Sequence, residues 1–223
     1  ERTQWQKWYL HSGGRANSVL GDGGFSPEPP EAEEPDQFVY DPRYPVQTLG
    51  GANCCNPDIV PWGPYDQRDA EMRGDVLCYT STPLDADLEV TGPIRAVLHA
   101  ATDGPDTDWT VKLVDVWPTG YAMLLCDGIF RARFREGFSE PRLLEPNQAY
   151  EYEIDVGATG NVFLKGHRIR VEISSSNFPR YDRNLNTGRD LGEDSEPRIA
   201  RQTIYHERSR PSHVLLPVIP AQE

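Results

Sequence analysis

The chain has 223 residues, a formal net charge of −13, 37% hydrophobic residues and 10% aromatic residues. This aromatic content excludes a disordered chain, and the glycines show no Gly-X-Y period, which excludes collagen. The excess of acidic residues argues against nucleic-acid and anionic-membrane partners, because both need clustered lysine and arginine. The length suits one large domain that builds its own core.

The first 74 residues are irregular. The aromatic run at residues 4–10 predicts one strand. Residues 27–42 contain five prolines, six acidic residues and no basic residue. Proline lacks the amide donor and like charges repel, so this composition predicts an extended surface arm rather than a helix or an inner strand. A second Pro-rich loop is expected over residues 44–73.

From residue 75 onward, apolar and polar residues alternate with the period of two that is typical of half-buried strands. The sequence therefore predicts a single domain over residues 1–223, in which residues 1–74 wrap a sandwich formed by residues 75–223. The expected fold is an all-β jelly-roll β-sandwich with long irregular N-terminal loops. Strands are predicted over residues 93–102, 107–117, 121–134 (with a bend at Asp127-Gly128), 148–156, 168–174 and 214–219, and the one helix candidate covers residues 196–207.

A search for a serine nucleophile finds none. The nucleophile elbow of α/β-hydrolases needs Gly-x-Ser-x-Gly, and both Ser26 and Ser139 lack the second glycine. Serines 174–176 end a strand, where we expect them to bond to backbone or water. We predict no catalytic residue in this chain, and we interpret all the histidines as structural or surface residues: His11, His99, His167, His206 and His213.

One segment resembles a calcium-binding loop. Asp182, Asn184 and Asn186 alternate and Glu193 is twelfth in the series, but the glycine stands seventh instead of sixth. No helix is predicted on either side and several arginines crowd the segment. We expect an ordered loop held by Asx-turns and Arg–carboxylate pairs, with neither metal nor cofactor.

Two carboxylate pairs have the spacing that glycoside hydrolysis can use, Asp106/Asp108 and Glu151/Glu153. Residues two apart on a strand share one face of the sheet. We interpret Glu151 and Glu153 as the solvated face of an amphipathic strand.

The cysteines follow no zinc or redox pattern. Cys54 and Cys55 are adjacent, whereas Cys78 and Cys126 lie in apolar runs and are predicted to be buried thiols. No apolar run spans a bilayer. The cysteines do not distinguish a cytoplasmic from a secreted protein. The N-terminus has no initiator methionine or signal pattern, so we expect part of a longer or processed protein.

Several aromatic residues lie in loops or at strand ends, among them Trp5, Trp8, Tyr9 and Trp62. They have two functional interpretations besides packing in the core. They can bury against another domain, or they can form a platform on which a sugar stacks.

The order of several motifs carries a family resemblance. Tyr-Asp-Pro-x-x-Pro-Val at residues 40–46 is followed by Leu-Gly-Gly at 49–51 and Asp-Gln-Arg at 66–68. Further segments follow in the expected order at residues 75–79, 90–93, 106–116, 166–171, 174–184 and 186–188. Over nearly its whole length the chain resembles the C-terminal domain of the cocaine esterase, X-Pro dipeptidyl-peptidase and α-amino acid ester hydrolase family of serine hydrolases.

The resemblance implies a galactose-binding-like jelly roll that carries no triad and packs on an α/β-hydrolase domain and its helical cap. The parent would cleave small esters, amides or peptides. In the family, the loop after Leu-Gly-Gly approaches the acyl pocket, which places Asn53, Cys54 and Cys55 at the pocket edge. Asn53 and Cys55 depart from the bulkier apolar residues of relatives, and the cysteine pair is open to either a disulfide or simple packing.

The same resemblance implies an inter-domain surface, which should be apolar and aromatic. We expect the segment with Trp5, Trp8 and Tyr9, or the loop that ends at Trp62, to supply part of it. In an isolated domain this patch would favour a homo-oligomer. Two alternatives remain, a free-standing carbohydrate-binding module and an independent hydrolase with an unrecognised site.

Overall fold

The computed structural model describes residues 2–54, 56–190 and 192–220 and consists mainly of β-strands. Within these residues no helix is long and apolar enough to cross a membrane. The one α-helix, α1, is Arg68–Glu71, and a single 3-10 turn covers Ala132–Phe134. The strands are β1 (Gln4–His11), β2 (Gly24–Ser26), β3 (Asp36–Tyr40), β4 (Leu77–Thr80), β5 (Leu88–Thr102), β6 (Asp108–Val116), β7 (Ala122–Arg131), β8 (Tyr150–Phe163), β9 (Arg168–Ser174), β10 (Ala200–Glu207), β11 (Arg210–Pro211) and β12 (His213–Ile219).

The strands form one hydrogen-bonded series in the order β11-β10-β5-β12-β1-β2-β4-β9-β6-β7, with β3 added to β10 and β8 added to β5. Neighbours are antiparallel except β2 and β4, which share a parallel bridge. The main core joins side chains from both ends of this series, such as Leu98 of β5, Leu113 of β6 and Ile154 of β8. The series therefore folds over into two packed layers, which confirms the all-β sandwich expected from the sequence.

The alternation predicted for residues 148–156 is confirmed in β8, whereas β6 and β9 are buried on both faces. In β8, Tyr152 and Ile154 are buried, whereas Glu151 and Glu153 point to solvent. The strand continues to Phe163, beyond the predicted end at residue 156, because it pairs with the full length of β5. The irregularity expected at Asp127-Gly128 lies slightly earlier, where the register between β6 and β7 shifts opposite Leu113 and Val114.

The helix expected over residues 196–207 is wrong. Residues 200–207 form β10, in which Ala200, Gln202, Ile204 and His206 are buried at a spacing of two. That spacing is the strand period rather than the helix period. Pairing with β3 on one side and β5 on the other decides the structure.

The surface arm predicted over residues 27–42 contains a strand, β3, which its composition did not predict. β3 begins directly after Pro35, and its Phe38 and Tyr40 side chains enter the main core. Pairing of β3 with β10 leaves its other edge unpaired, where a proline-rich approach is tolerated. A surface arm is therefore correct only for the residues before β3.

Side chains from residues 46–76 pack on one face of the sheet, where Val46 and Ala70 meet Cys78 of β4, Gln67 bonds to Lys112 of β6 and Glu71 pairs with Arg170 of β9. A second, smaller core lies beneath this segment and includes Val46, Ala70, Val76 and Cys78. This segment contains α1 and the loop that follows the Leu-Gly-Gly motif. The loop therefore begins and ends in chain that is packed on the sandwich.

Candidate docking site around residues 49–65

The described residues between 49 and 65, that is 49–54 and 56–65, form a closed loop, here called the clasped loop. Gly51 and Gly63 exchange two backbone hydrogen bonds of 2.8 and 2.9 Å across its neck. Both glycines have positive φ, +95° and +76°, which residues with a Cβ rarely adopt. The glycine of the motif is therefore required for closing the loop.

Gln67 ties both ends of the clasped loop to the sheet. Its Nε2 donates to the carbonyl oxygens of Leu49 at 2.7 Å and Tyr65 at 3.0 Å. Its Oε1 accepts a hydrogen bond of 2.8 Å from Nζ of Lys112 on β6. Gln67 is completely buried. A buried amide with all three groups paired fixes its neighbours, because an unpaired partner would remain desolvated.

A second cluster supports the neck of the loop from behind. Arg180 pairs with Asp127, and Asn177 Nδ2 donates to Asp127 at 2.8 Å. A Cβ placed on Gly51 would lie 2.9 Å from Nη1 of Arg180 and 3.0 Å from Oδ1 of Asp127. The ion pair therefore packs directly against the glycine backbone.

The residues predicted at a pocket edge do not all point outward. The side-chain amide of Asn53 donates to the carbonyls of Gly50 at 2.7 Å and Pro61 at 3.3 Å, across the interior of the loop. Asn53 therefore stabilises the loop from within, and its amide is not available to a substrate. Cys54 is exposed on the loop. Cys55 lies outside the described residues.

The clasped loop exposes apolar side chains while its backbone is held. Ile59 is 70% exposed, Trp62 is 50% exposed and Tyr65 is also exposed. Trp62, a candidate for inter-domain packing, is thus accessible on the surface of the domain. Rigid aromatic and aliphatic side chains held in water are typical of a protein-docking surface.

The other three predicted contact residues lie on β1. Trp8 is only 8% exposed and stacks against Phe25 at 5.4 Å, so it belongs to the domain's own core and leaves the predicted contact set. Strand alternation places Trp5 and Tyr9 on the opposite face, with Trp5 51% exposed and Tyr9 half-buried against His213. Among the residues described, no ring contact joins Trp62 to Trp5 or Tyr9.

One arrangement has the connectivity of a catalytic triad. Oγ of Ser26 lies 3.2 Å from Nε2 of His11, and Nδ1 of His11 lies 2.8 Å from Oε1 of Glu33. The carbonyl of Glu28, however, lies 3.1 Å from the same Nε2. Nε2 of His11 is therefore shared between the Ser26 hydroxyl and a backbone carbonyl, whereas in a catalytic triad this nitrogen faces the nucleophile.

The calcium-like segment forms the ordered loop that was predicted. The side chain of Asn184 donates to Asp106 at 2.7 Å and to Asp108 at 2.9 Å, and its own oxygen caps the backbone N–H of Asn186. Each carboxylate also pairs with an arginine at 2.8 Å, Arg133 for Asp106 and Arg131 for Asp108. These aspartates are structural anchors. No group of three or more metal-ligating side chains occurs within the described part of the chain.

The remaining polar candidates also have structural partners. Ser174 donates to the carbonyl of Asp75, and Ser176 accepts the N–H of Val46. His167 bonds to Asp115 at 2.8 Å. Cys78 and Cys126 are buried free thiols, as predicted.

Sequence reasoning missed the residues that hold the clasped loop. Gln67 lies in the Asp-Gln-Arg motif, Asp127 lies at the bend predicted within residues 121–134, and Arg180 lies in the loop after the strand predicted over residues 168–174. The available signal was the ordered occurrence of Leu-Gly-Gly and Asp-Gln-Arg on either side of one loop. The pairing of Asp127 with Arg180 joins residues more than 50 positions apart in the chain, and no local sequence pattern records such a contact.

Comparison with known proteins agrees with this architecture. The family model described as the X-Pro dipeptidyl-peptidase C-terminal non-catalytic domain matches residues 1–215. The cocaine esterase of Rhodococcus sp. (strain MB1 Bresler) is 46% identical over 220 residues, which cover 97% of this chain and 38% of the esterase. An aminopeptidase structure from a marine sediment Thaumarchaeota archaeon superimposes with a TM-score of 0.86 at 32% identity, covering 97% of this chain and 37% of that one. An α-amino acid ester hydrolase structure gives a TM-score of 0.82 at 32% identity, covering 96% and 36%.

Fold, motifs and comparisons together define a non-catalytic β-sandwich domain. The chain belongs to the family of X-Pro dipeptidyl-peptidase C-terminal non-catalytic domains, as its motifs predicted. It spans a little over a third of the length of these relatives: 38% of the esterase, 37% of the aminopeptidase and 36% of the ester hydrolase.

Proposed function

We propose that this domain docks on the α/β-hydrolase domain and helical cap of a larger serine hydrolase for ester or amide bonds. The clasped loop would form one wall of that enzyme's acyl pocket. In this role the domain supplies shape and excludes water, and the reaction itself takes place on the partner's residues.

The observation that carries the proposal is the exposure of Ile59 and Trp62 on a loop whose neck and base are both fixed. A flexible apolar loop would collapse onto the domain, whereas this one is held away from it by the Gly51–Gly63 bridge and by Gln67. A preorganised loop loses little conformational entropy when it becomes buried, so its apolar area contributes to docking.

The docking test measures affinity for the hydrolase domain of the same parent, produced separately. We expect Trp62→Ala to weaken the complex by at least about tenfold, because truncation of a buried aromatic anchor costs more than about 1.4 kcal/mol. Trp117→Ala is the matched control, since Trp117 is similarly exposed (41%) but lies on the hairpin between β6 and β7. Equal effects of the two changes would contradict the assignment of the clasped loop.

Two further assays separate this role from its alternatives. The domain alone should resist fluorophosphonate labelling, and Ser26→Ala should change nothing, because Ser26 does not lie in a Gly-x-Ser-x-Gly nucleophile elbow. It should also bind no simple sugar. Labelling at Ser26 would indicate an independent hydrolase, and millimolar sugar binding lost in Trp62→Ala would indicate a carbohydrate-binding module.

A further inference from the structure

The segment just before β3 is attached to the sandwich by polar and ionic contacts. This segment, residues 27–35, here called the acidic arm, contains four glutamates and four prolines and runs without regular secondary structure. The carbonyl of Glu31 accepts the backbone N–H of Arg208 at 2.8 Å, and the side chains of the same two residues form an ion pair. The carbonyl of Glu28 lies 3.1 Å from Nε2 of His11. Such contacts depend on the charges of the groups that make them.

Glu33 is the innermost contact of the acidic arm. Its Oε1 lies 2.8 Å from Nδ1 of His11, and its Oε2 accepts the backbone N–H of Ser12 at 3.0 Å. The same Oε2 lies 3.0 Å from Nδ1 of His206 on β10. The Glu33 side chain is 19% exposed, whereas that of His206 is completely buried. The arm therefore places a carboxylate over a buried histidine ring.

His206 has a carboxylate on each side of its ring. Opposite Glu33, its Nε2 lies 2.9 Å from Oδ2 of Asp36, the first residue of β3. A carboxylate only accepts hydrogen bonds, and a neutral imidazole has a single N–H to donate. Two ionised partners at these distances therefore require the imidazolium form of His206, with a proton on both nitrogens.

Asp36 cannot leave this arrangement, because it is buried and has further donors. It accepts the N–H of Ala16 at 2.7 Å and the hydroxyls of Ser12 and Tyr79 at 2.7 and 2.8 Å. Burial acts to raise the pKa of Asp36, but His206, Ala16 and Ser12 outweigh it and hold the pKa below its ordinary value. Glu33, in contrast, lies at the surface on a segment without strand pairing.

The groups that face His206 come from four parts of the chain: Ser12 after β1, Glu33 of the acidic arm, Asp36 of β3 and Tyr79 of β4. Tyr79 stays neutral, because burial raises its pKa well above the ordinary value. Burial alone would lower the pKa of His206, but Asp36 and Glu33 outweigh it and raise the pKa. When His206 loses one proton, the other stays on Nε2 toward Asp36, and Nδ1 turns a lone pair to the carboxylate of Glu33.

We propose that the acidic arm is a pH-controlled strap, which the imidazolium of His206 keeps closed on β10 and which opens when His206 loses its proton in mildly alkaline solution. β3 stays paired with β10 during this opening, since the bond to Asp36 remains. The proposal does not depend on the docking function, because all the groups involved belong to this domain.

The test is cleavage of the domain by glutamyl endopeptidase after Glu31 and Glu33, neither of which precedes a proline. Rates at pH 6.5 and pH 9.0 are divided by the rate for a free peptide of residues 27–35, which removes the pH dependence of the protease. We expect the relative rate to be about tenfold higher at pH 9.0, the factor that corresponds to one pH unit of linked protonation.

Three variants identify the group responsible. His206→Gln offers a single N–H donor at every pH and should be cleaved at the faster relative rate at both pH values. His99→Gln is the matched control, because His99 lies on β5 beside Glu151, and should behave like the unchanged protein. His11→Gln weakens the hold on Glu33 at both pH values but should retain the pH effect. Loss of the effect in His11→Gln would assign it to His11 and overturn the proposal.

A second measurement on the unchanged protein keeps the proposal falsifiable if His206→Gln does not fold. The ring nitrogens of His206, observed by ¹⁵N NMR, should both carry a proton at pH 6.5, and one should be lost over the range in which cleavage accelerates. A neutral ring at pH 6.5 would overturn the proposal. Equal relative cleavage at the two pH values, or an undiminished pH effect in His206→Gln, would do so as well.

Discussion

At the scale of single residues, the neck of the clasped loop depends on two glycines that differ in their surroundings. Gly51 faces the Asp127–Arg180 pair, whereas a Cβ on Gly63 would meet nothing within 4 Å. Both have positive φ. The two positions therefore separate the cost of backbone strain from the cost of crowding.

We expect Gly63→Ala to lower the free energy of unfolding by about 1 kcal/mol, the cost of a left-handed backbone with a Cβ. Gly51→Ala should cost about 1–2 kcal/mol more, because it also displaces a buried ion pair. Urea unfolding of both variants measures the difference. Equal losses would show that Arg180 and Asp127 move aside without cost.

At the scale of elements, buried ion pairs of His206 join β10 to β3 and to the segment before β3. His206 of β10 bonds through Nε2 to Asp36 at 2.9 Å and through Nδ1 to Glu33 at 3.0 Å. Ser12 and Tyr79 also donate to Asp36, at 2.7 and 2.8 Å. Burial alone would lower the pKa of His206, but Asp36 and Glu33 outweigh it and hold the pKa above its ordinary value.

These ion pairs predict that the free energy of unfolding depends on pH. The raised pKa means that folded His206 keeps a proton which the unfolded chain releases. Its stabilising contribution is thus complete below pH 6.5 and is lost as pH rises through the folded value. We expect the free energy of unfolding, measured in half-unit steps from pH 6.5 to 9, to fall in the unchanged protein. The fall should disappear in His206→Gln, and a variant that retained it would assign the fall to another group.

Glu172 of β9, a carboxyl group only 2% exposed, predicts a second pH effect in a lower range. The pKa of Glu172, raised by burial to about 7, makes the folded state hold a proton that the unfolded chain loses near pH 4.5. Stability should therefore fall as pH rises from about 4.5 to about 7 and then level off in this respect. Urea unfolding of Glu172→Gln should lack this fall; an unaltered slope would indicate that Glu172 stays ionised throughout.

The elements also show what sequence patterns can record. β8 was predictable because its alternation of apolar and charged residues determines which face is buried, whereas the charged face of β9 is also buried. β10 was mistaken for a helix because its inner face carries Gln202 and His206, polar residues whose partners come from other strands. Asp36 was read as a solvated acid for the same reason. At the candidate site, the residue type and position of Trp62 made it a candidate for contact, whereas the role of Asn53 required knowledge of where its amide points.

At the scale of the whole molecule, the N-terminal part is structural. β1 lies between β12 and β2 within the sheet, and Trp8, Leu10 and Phe25 belong to the same core as the central strands. Composition placed residues 1–74 outside the main strands. In the structure, β1 pairs with β12 on one side and with β2 on the other, so it connects the two parts of the sheet.

Removal of residues 1–26 should therefore abolish the cooperative thermal transition, because it exposes the edge of β12 and opens the core. Trp5→Ala, which removes a half-exposed side chain from the same strand, should leave the transition in place with a change of about 0.5 kcal/mol or less. Circular dichroism melting distinguishes the two. A sharp transition in the shortened chain would mean that residues 75–220 fold without β1.

The residues that hold the clasped loop in place are different from the residues that it exposes to solvent. Gly51, Gly63 and Gln67 are all bonded through backbone or buried groups, and none of these bonds involves Ile59 or Trp62. Side chains at the loop tip can thus be exchanged with little effect on folding. Substitution of a few tip residues should therefore leave the backbone of the loop in place, and an entire tip can be exchanged between the two glycines.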